Sequence, residues 1–178
     1  MRPLNELLQN YQPTDSNEVR HKQGMLELLT DTPAPFSRTQ FTPGHFTASS
    51  FVLSPDLQSV LLIFHGNLHR WLQPGGHVDP VDRSIDSAAR REVLEEVNIE
   101  SMTPLHPEGG LFDLDIHSIP ARKLEPEHAH YDIRFGFRAT SLEFRAGSDA
   151  TDAKWVKLTE VSELESDESV IRAIRKLL

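Results

Sequence analysis

The segment from Ile85 to Val97 joins a core-forming stripe to three glutamates that crowd its edge. Ile85, Ala89, Val93, Leu94 and Val97 recur at helical spacing and predict a helix with one buried side. At 100° per residue, Glu92, Glu95 and Glu96 fall within an arc of about 100° beside that stripe, so Glu92 and Glu96 are expected to be partly buried. Like charges at i,i+4 cost a few tenths of a kcal/mol on an exposed helix, and more at a buried edge unless a cation is supplied. A hard divalent cation, which takes several carboxylate oxygens, meets that need. On an ordinary helix such a cluster is more often a solvated face. The loop in front shifts the balance. Gly75-Gly76 permits a close backbone approach, and Asp79 and Asp82 add carboxylates ahead of the helix N-terminus, where the dipole favours anions, phosphate included.

The rest of the chain reads as the support for this stretch. Residues 3–11 and roughly 15–30 predict two short helices, the second capped by Asp15 or Ser16 and ended by Pro33 and Pro35. They form a helical N-terminal extension, residues 1–40, expected to pack on a domain spanning 41–178. Phe46–Leu53 reads as a strand, and Val60–Phe64 is a continuous apolar run that predicts a strand buried on both faces. Gly66-Asn67 marks a hairpin, with a return strand from Leu68 to Gln73 leading into Gly75-Gly76. Leu111–Ile116 and Trp155–Leu158 predict strands. His130–Thr140 alternates most clearly, with Tyr131, Ile133, Phe135 and Phe137 set against Asp132, Arg134, Gly136 and Arg138. A helix from Glu168 to Leu178 follows. Strands on either side of one central helix, with another helix at the end, predict an α/β sandwich: a mixed sheet with helices on its faces.

Composition bounds the function. The chain has 178 residues, 38% hydrophobic and 25% charged, as for a globular protein with one substantial core. Its formal net charge of −9 argues against general nucleic-acid or acidic-membrane binding. A bound divalent cation would reverse the local sign, so phosphate substrates remain compatible. With no cysteine there is no disulfide, thiolate metal site or cysteine nucleophile. Neither a membrane-spanning run nor a signal-peptide core is expected, and a cytoplasmic location is read from this.

On these residues the chain resembles the Nudix hydrolases. Their signature is Gly, five residues, Glu, seven residues, then Arg-Glu-aliphatic-x-Glu-Glu-x-Gly-aliphatic. Here it runs Gly76, Asp82, Arg91-Glu92-Val93-Leu94-Glu95-Glu96, Asn98-Ile99. Asp82 stands where Glu is usual, one residue is inserted near Arg83, and Asn98 replaces the last Gly. Asn is the next-best residue for a left-handed helix cap. The strand order extends the likeness over roughly residues 46–160. The resemblance implies the Nudix-like α/β/α sandwich and a metal-dependent hydrolase using Mg²⁺ or Mn²⁺. Its substrate would be a small nucleotide, a nucleoside diphosphate linked to another moiety, cleaved at the pyrophosphate. Glu92, Glu95 and Glu96 would hold the metal, with the Gly76 carbonyl and Asp82 completing the shell. Glu95 is favoured as the proton acceptor, and Arg91, four residues before it, would orient it by a salt bridge. Homodimers are common in folds of this kind. The alternative is a nucleotide-binding or regulatory module with weak catalysis, suggested by Asp82 and the inserted residue. RNA-end hydrolysis is disfavoured by the charge and the lack of a basic stripe.

Other candidates carry less. His128 and His130 share one strand face and could be a transition-metal pair, but no third ligand follows at convincing spacing; contact with substrate is the next alternative, and a surface or structural role is expected. Arg134 and Arg138 could bind phosphate or a sugar hydroxyl, although salt bridging is the commoner use. The resemblance implies that a late loop carrying Asp149 and Asp152 can lend a carboxylate. Phe46, Trp71 and Phe112 could stack on a base, but aromatics on strands are usually core.

Overall fold

The computed structural model describes residues 3–66, 68–106, 108–122, 124–147 and 150–178, the side chains of residues 150 and 151 apart. Asn67 of the expected hairpin and Asp149 of the late loop lie outside these residues. The chain runs α1 (Leu4–Asn10), α2 (Ser16–Asp31), β1 (Gly44–Leu53), β2 (Ser59–His65), β3 (Arg70–Leu72), β4 (Gly75–His77), α3 (Ile85–Val97), β5 (Met102–Pro104), β6 (Asp113–Ile119), β7 (His128–Ala139), β8 (Ala150–Lys157) and α4 (Glu168–Ile174). Short 3₁₀ turns, Leu158–Glu163 and Arg175–Leu177, flank α4. No helix among the described residues is long and apolar enough to cross a membrane.

β1 and β7 form the spine. They pair in parallel from Gly44 beside Ala129 to Leu53 beside Arg138. A parallel pair needs a long crossover, and α3 lies within it. Each spine strand divides its other edge between two antiparallel partners: β1 between β4 and β2, β7 between β6 and β5. β2 then pairs with β3 and β8. The expected α/β sandwich with a mixed sheet is the observed fold.

Alternation along the spine sorts side chains into two layers. Phe46, Ala48, Tyr131, Ile133, Phe135 and Phe137 pack with α1, α2 and α3, and Val52 joins Val93 and Val97 of α3. On the opposite face Phe51 and Leu53 pack with Val170, Ala173 and Ile174 of α4. Leu4, Leu7 and Leu8 of α1 and Met25 and Leu28 of α2 are buried in the first cluster. Asp15 caps α2, accepting from the N–H groups of Asn17 and Glu18 at 2.7 and 2.9 Å.

The second face of β7 departs from the expected half-buried strand. Asp132 and Arg134, the polar half of its alternation, are almost wholly buried. Arg134 donates from Nε to Asp132 at 2.8 Å, from Nη1 to Asp113 at 3.1 Å, and lies 3.3 Å from Asp115. Ser169 of α4 accepts its remaining N–H groups through its carbonyl and hydroxyl. Arg172 and Lys176 reach in from the C-terminal end to Asp113 and to Glu18 of α2, a fully buried carboxylate that also takes the Tyr11 hydroxyl at 2.8 Å. Arg134 is therefore an internal cation, and Arg138 donates to the Pro55 carbonyl. Neither stands free for substrate phosphate. Phe46 and Phe112 are core residues, as aromatics on strands usually are.

Removing one partner of a buried ion cluster strands the others. Arg134→Met is expected to lower unfolding free energy by about 3–5 kcal/mol, measured by urea titration. Arg138→Met, at the surface, is expected to change it far less.

Candidate active site

α3 is launched by Ser84, whose hydroxyl accepts from the Ser87 N–H at 3.1 Å while the Ser87 hydroxyl accepts from the Ser84 N–H at 2.9 Å. It ends at Asn98, in the left-handed region at φ 55°, so the residue replacing glycine does close the helix as expected. The loop before α3 is a closed turn: the Asp82 N–H donates to the Asp79 carbonyl at 2.9 Å, and the Asp79 N–H donates to Asp82 Oδ2 at 2.8 Å. The extra residue is taken up between this turn and the Ser84 cap, with Arg83 exposed.

Arg91 gathers the site. Its Nε and Nη2 donate to the Asp82 carboxylate, at 3.0 Å for the Nη2–Oδ2 pair, and Nη2 donates to the His77 carbonyl at 2.8 Å. Its Nη1 donates to Glu92 at 2.8 Å and to Glu95 at 3.0 Å, and Asp79 lies 3.9 Å away. The hydrogen bonds it donates to the Asp82 and Glu92 carboxylates hold the guanidinium firmly protonated. Asp82 is itself buried under this contact, with 4% of its side chain exposed.

The glutamates occupy three environments. Glu92 presses on β4: a Cβ at Gly76 would lie 2.7 Å from its carboxylate carbon and both oxygens. Burial pushes the Glu92 carboxyl up, and Arg91 pulls it back only in part. Glu96 is buried and accepts from the Gly75 N–H at 2.9 Å. Glu95 has 56% of its side chain exposed and is the accessible member. Arg145 and Gly147 close over the end of α3, their N–H groups donating to the Val97 carbonyl at 3.0 Å and the Glu96 carbonyl at 2.7 Å. The structure thus brings Gly76, Asp82, Arg91, Glu92, Glu95 and Glu96 together. Asp152 of β8 is exposed and bonds the Ala153 N–H at 2.8 Å, and Trp71 is covered by the Lys154 ammonium 4.0 Å from its ring centre.

The fold also gathers histidines that stand far apart in the sequence. His45, at the start of β1, sits across from His130 in the spine register, and His77 follows Gly76 on β4. With His117 and His128 they form a group of five rings, the other four centred 4.9–5.6 Å from that of His130. Burial, then the charge of neighbouring histidines, lowers His77 to about 4 and His130 to about 2. Burial also lowers His45. The spacing of His128 and His130 was the one local signal; the other three enter only through strand pairing.

The family model described as the NUDIX domain matches residues 44–177. Among solved structures, a NUDIX-family hydrolase from Clostridium perfringens is similar at TM-score 0.56 and 24% identity, over 75% of this chain and 95% of its own. An Ap4A hydrolase from C. elegans, in a binary complex, is similar at TM-score 0.55 and 20% identity, over 74% and 93%. The NUDIX domain of Shewanella oneidensis NrtR, complexed with ADP ribose, gives 0.56 and 18%, over 84% and 93%. At these identities the likeness is one of fold. No curated protein matches.

The two glycines are expected to fail differently. A Cβ at Gly75 would lie 2.8 Å from Ser49 Cα and 2.9 Å from the Ala48 carbonyl, both backbone, whereas at Gly76 it meets only the end of a flexible side chain. Gly75→Ala should lower the melting temperature more than Gly76→Ala, which should keep the fold and displace Glu92. The histidines set a pH dependence. In the unfolded chain they take protons near 6.5, but in the fold His77 does so only near 4, so the unfolded chain binds more protons between these values. Stability of the chelator-treated protein should fall as pH drops from 6.5 towards 4, and His77→Phe should flatten that slope in thermal melts.

Proposed function

The chain belongs to the NUDIX domain family, and on that premise we propose that this Nudix-type pyrophosphohydrolase cleaves the pyrophosphate linkage of a nucleoside diphosphate joined to another moiety, using Mg²⁺ or Mn²⁺. The observation that carries the reading is a charge imbalance: the single Arg91 guanidinium faces Asp79, Asp82, Glu92 and Glu95. An all-oxygen set of this kind fits a hard divalent cation. Glu92 fits it further, since burial has raised its carboxyl and a nearby cation would restore the charged form. Glu92, Glu95 and Glu96, with the Gly76 carbonyl, would hold the ion. When bound, it supplies neutralising charge on the diphosphate and activation of a water.

The chain's own groups divide the remaining work. Glu95, the exposed carboxylate, takes the proton of the attacking water, and Arg91 fixes its orientation from 3.0 Å. Asp82, engaged with Arg91 and with the Asp79 N–H, contributes mainly by holding the guanidinium in place. Arg91 reaches Asp82 despite the inserted residue, which supports catalysis over the binding-module reading. Ap4A and ADP ribose, named with two of the similar structures, are each adenosine phosphates extended by a second moiety. That supports this substrate class, and the net charge of −9 supports small molecules over nucleic acid. In the same reading, residues 1–40 are an extension that completes the core and charge cluster of a 41–178 domain.

The test is phosphate-coupled turnover on ADP ribose, nucleotide sugars, dinucleoside polyphosphates and nucleoside triphosphates, with Mg²⁺ or Mn²⁺ and with chelator. Metal-dependent turnover of one class is expected. Glu95→Gln and Glu96→Gln should each stay folded and lose at least about 100-fold in rate. Absence of turnover from a folded protein that still binds nucleotide would overturn the catalytic reading.

A further inference from the structure

We propose that His45, His128 and His130 form a transition-metal site of the zinc class, separate from the carboxylate cluster on α3. One ring nitrogen from each lies within 4.8 Å of the other two. Tetrahedral zinc with imidazole ligands sets its nitrogens about 3.4 Å apart, so side-chain rotations suffice to close the site. The fourth position goes to water or to His77, whose ring centre lies 5.2 Å from those of both His45 and His130.

Three observations separate this site from a packed group of imidazoles. His45 is 1% exposed, and its Nε2 has no hydrogen-bond partner among the described residues, a costly state for a buried polar atom. Its other nitrogen, Nδ1, meets the Gln40 carbonyl at 3.1 Å and so must carry the proton, which leaves the Nε2 lone pair facing the cluster. His128 repeats the arrangement, with Nδ1 on the Pro126 carbonyl at 2.8 Å. Metal-binding histidines are oriented in this way, the remote N–H donated to a carbonyl or carboxylate. His117 has the same kind of support from Asp115 at 3.0 Å and stands at the rim. The donors are nitrogens, which suit zinc, copper or nickel, whereas the oxygen-only cluster on α3 suits magnesium. The ligands come from two strands, His45 on β1 and His128 and His130 on β7, so an ion here ties the starts of the spine strands together.

The proposal does not depend on the pyrophosphohydrolase reading. The experiment strips the full chain with chelator and titrates it with Zn²⁺ in excess Mg²⁺, following heat, stoichiometry and imidazole resonances by NMR. Binding of one Zn²⁺ per chain, with the ring signals of His45, His128 and His130 shifting together, is expected. That binding should survive Glu95→Gln/Glu96→Gln and weaken at least about 100-fold in His130→Gln. Unchanged ring signals in the wild-type protein would overturn the site, whether or not the histidine variant folds. So would Zn²⁺ binding that disappears with the glutamates, or that persists undiminished in folded His130→Gln.

Discussion

The parallel register of β1 and β7 is the constraint on which the molecule depends. Set by ten consecutive residue pairs, it puts Phe46, Ala48, Ile133 and Phe135 on the face that α3 covers, and Phe51, Leu53 and Arg134 on the face that α4 covers. It brings His45 to His130 and Thr47 to Asp132. It also leaves the first half of β1's outer edge for β4, which fixes Gly75 and Gly76 opposite Ser49 and Ala48. A shift of one residue would turn every one of these side chains to the wrong layer. The carboxylate cluster and the histidine cluster are both consequences of that one alignment.

Two arginines show how similar charges are used for opposite ends. Arg134 lies among Asp113, Asp115 and Asp132 in the interior, and Arg172 and Lys176 join it, so the buried acids are met by several cations. Such a cluster holds its shape from within the core. Arg91 meets four carboxylates at the rim of the sheet, and the surplus negative charge is what a divalent ion would answer. His77 links the regions, its carbonyl bonded to Arg91 and its ring set among the histidines.

What could be read in the sequence was local. The glutamates of α3, its cap at Asn98 and the paired glycines depend on spacing within one helix and one loop, and the structure assembles them as the pattern implied. The mixed sheet with helices on its faces was legible from the order of strands and helices along the chain. The alternation of β7 could not reveal that its polar half is buried, because the groups that satisfy Asp132 come from β1 and Gln73 and those that satisfy Arg134 come from β6 and α4. Nor could it reveal a third histidine beside His128 and His130. His45 is an isolated residue near a proline-glycine turn, and only strand register gives it meaning. Asp82 was readable as a carboxylate at the right distance from Gly76, but its engagement with Arg91 depends on how the loop closes.

The buried carboxylate of Glu18 has a consequence for the order in which the chain becomes solid. Its partners include Arg172 and Lys176, the latter 158 residues further along. A chain leaving the ribosome makes α2 well before α4, so the cations that accompany this charge indoors are absent until Arg172 and Lys176 have been added. Until then Glu18 must stay in water, since an unaccompanied carboxylate is expelled from an apolar interior. α1 and α2, made before α4, are therefore locked only once it is in place. Long-range closure of this kind slows folding and leaves the apolar side of α1 and α2 open to other contacts during synthesis.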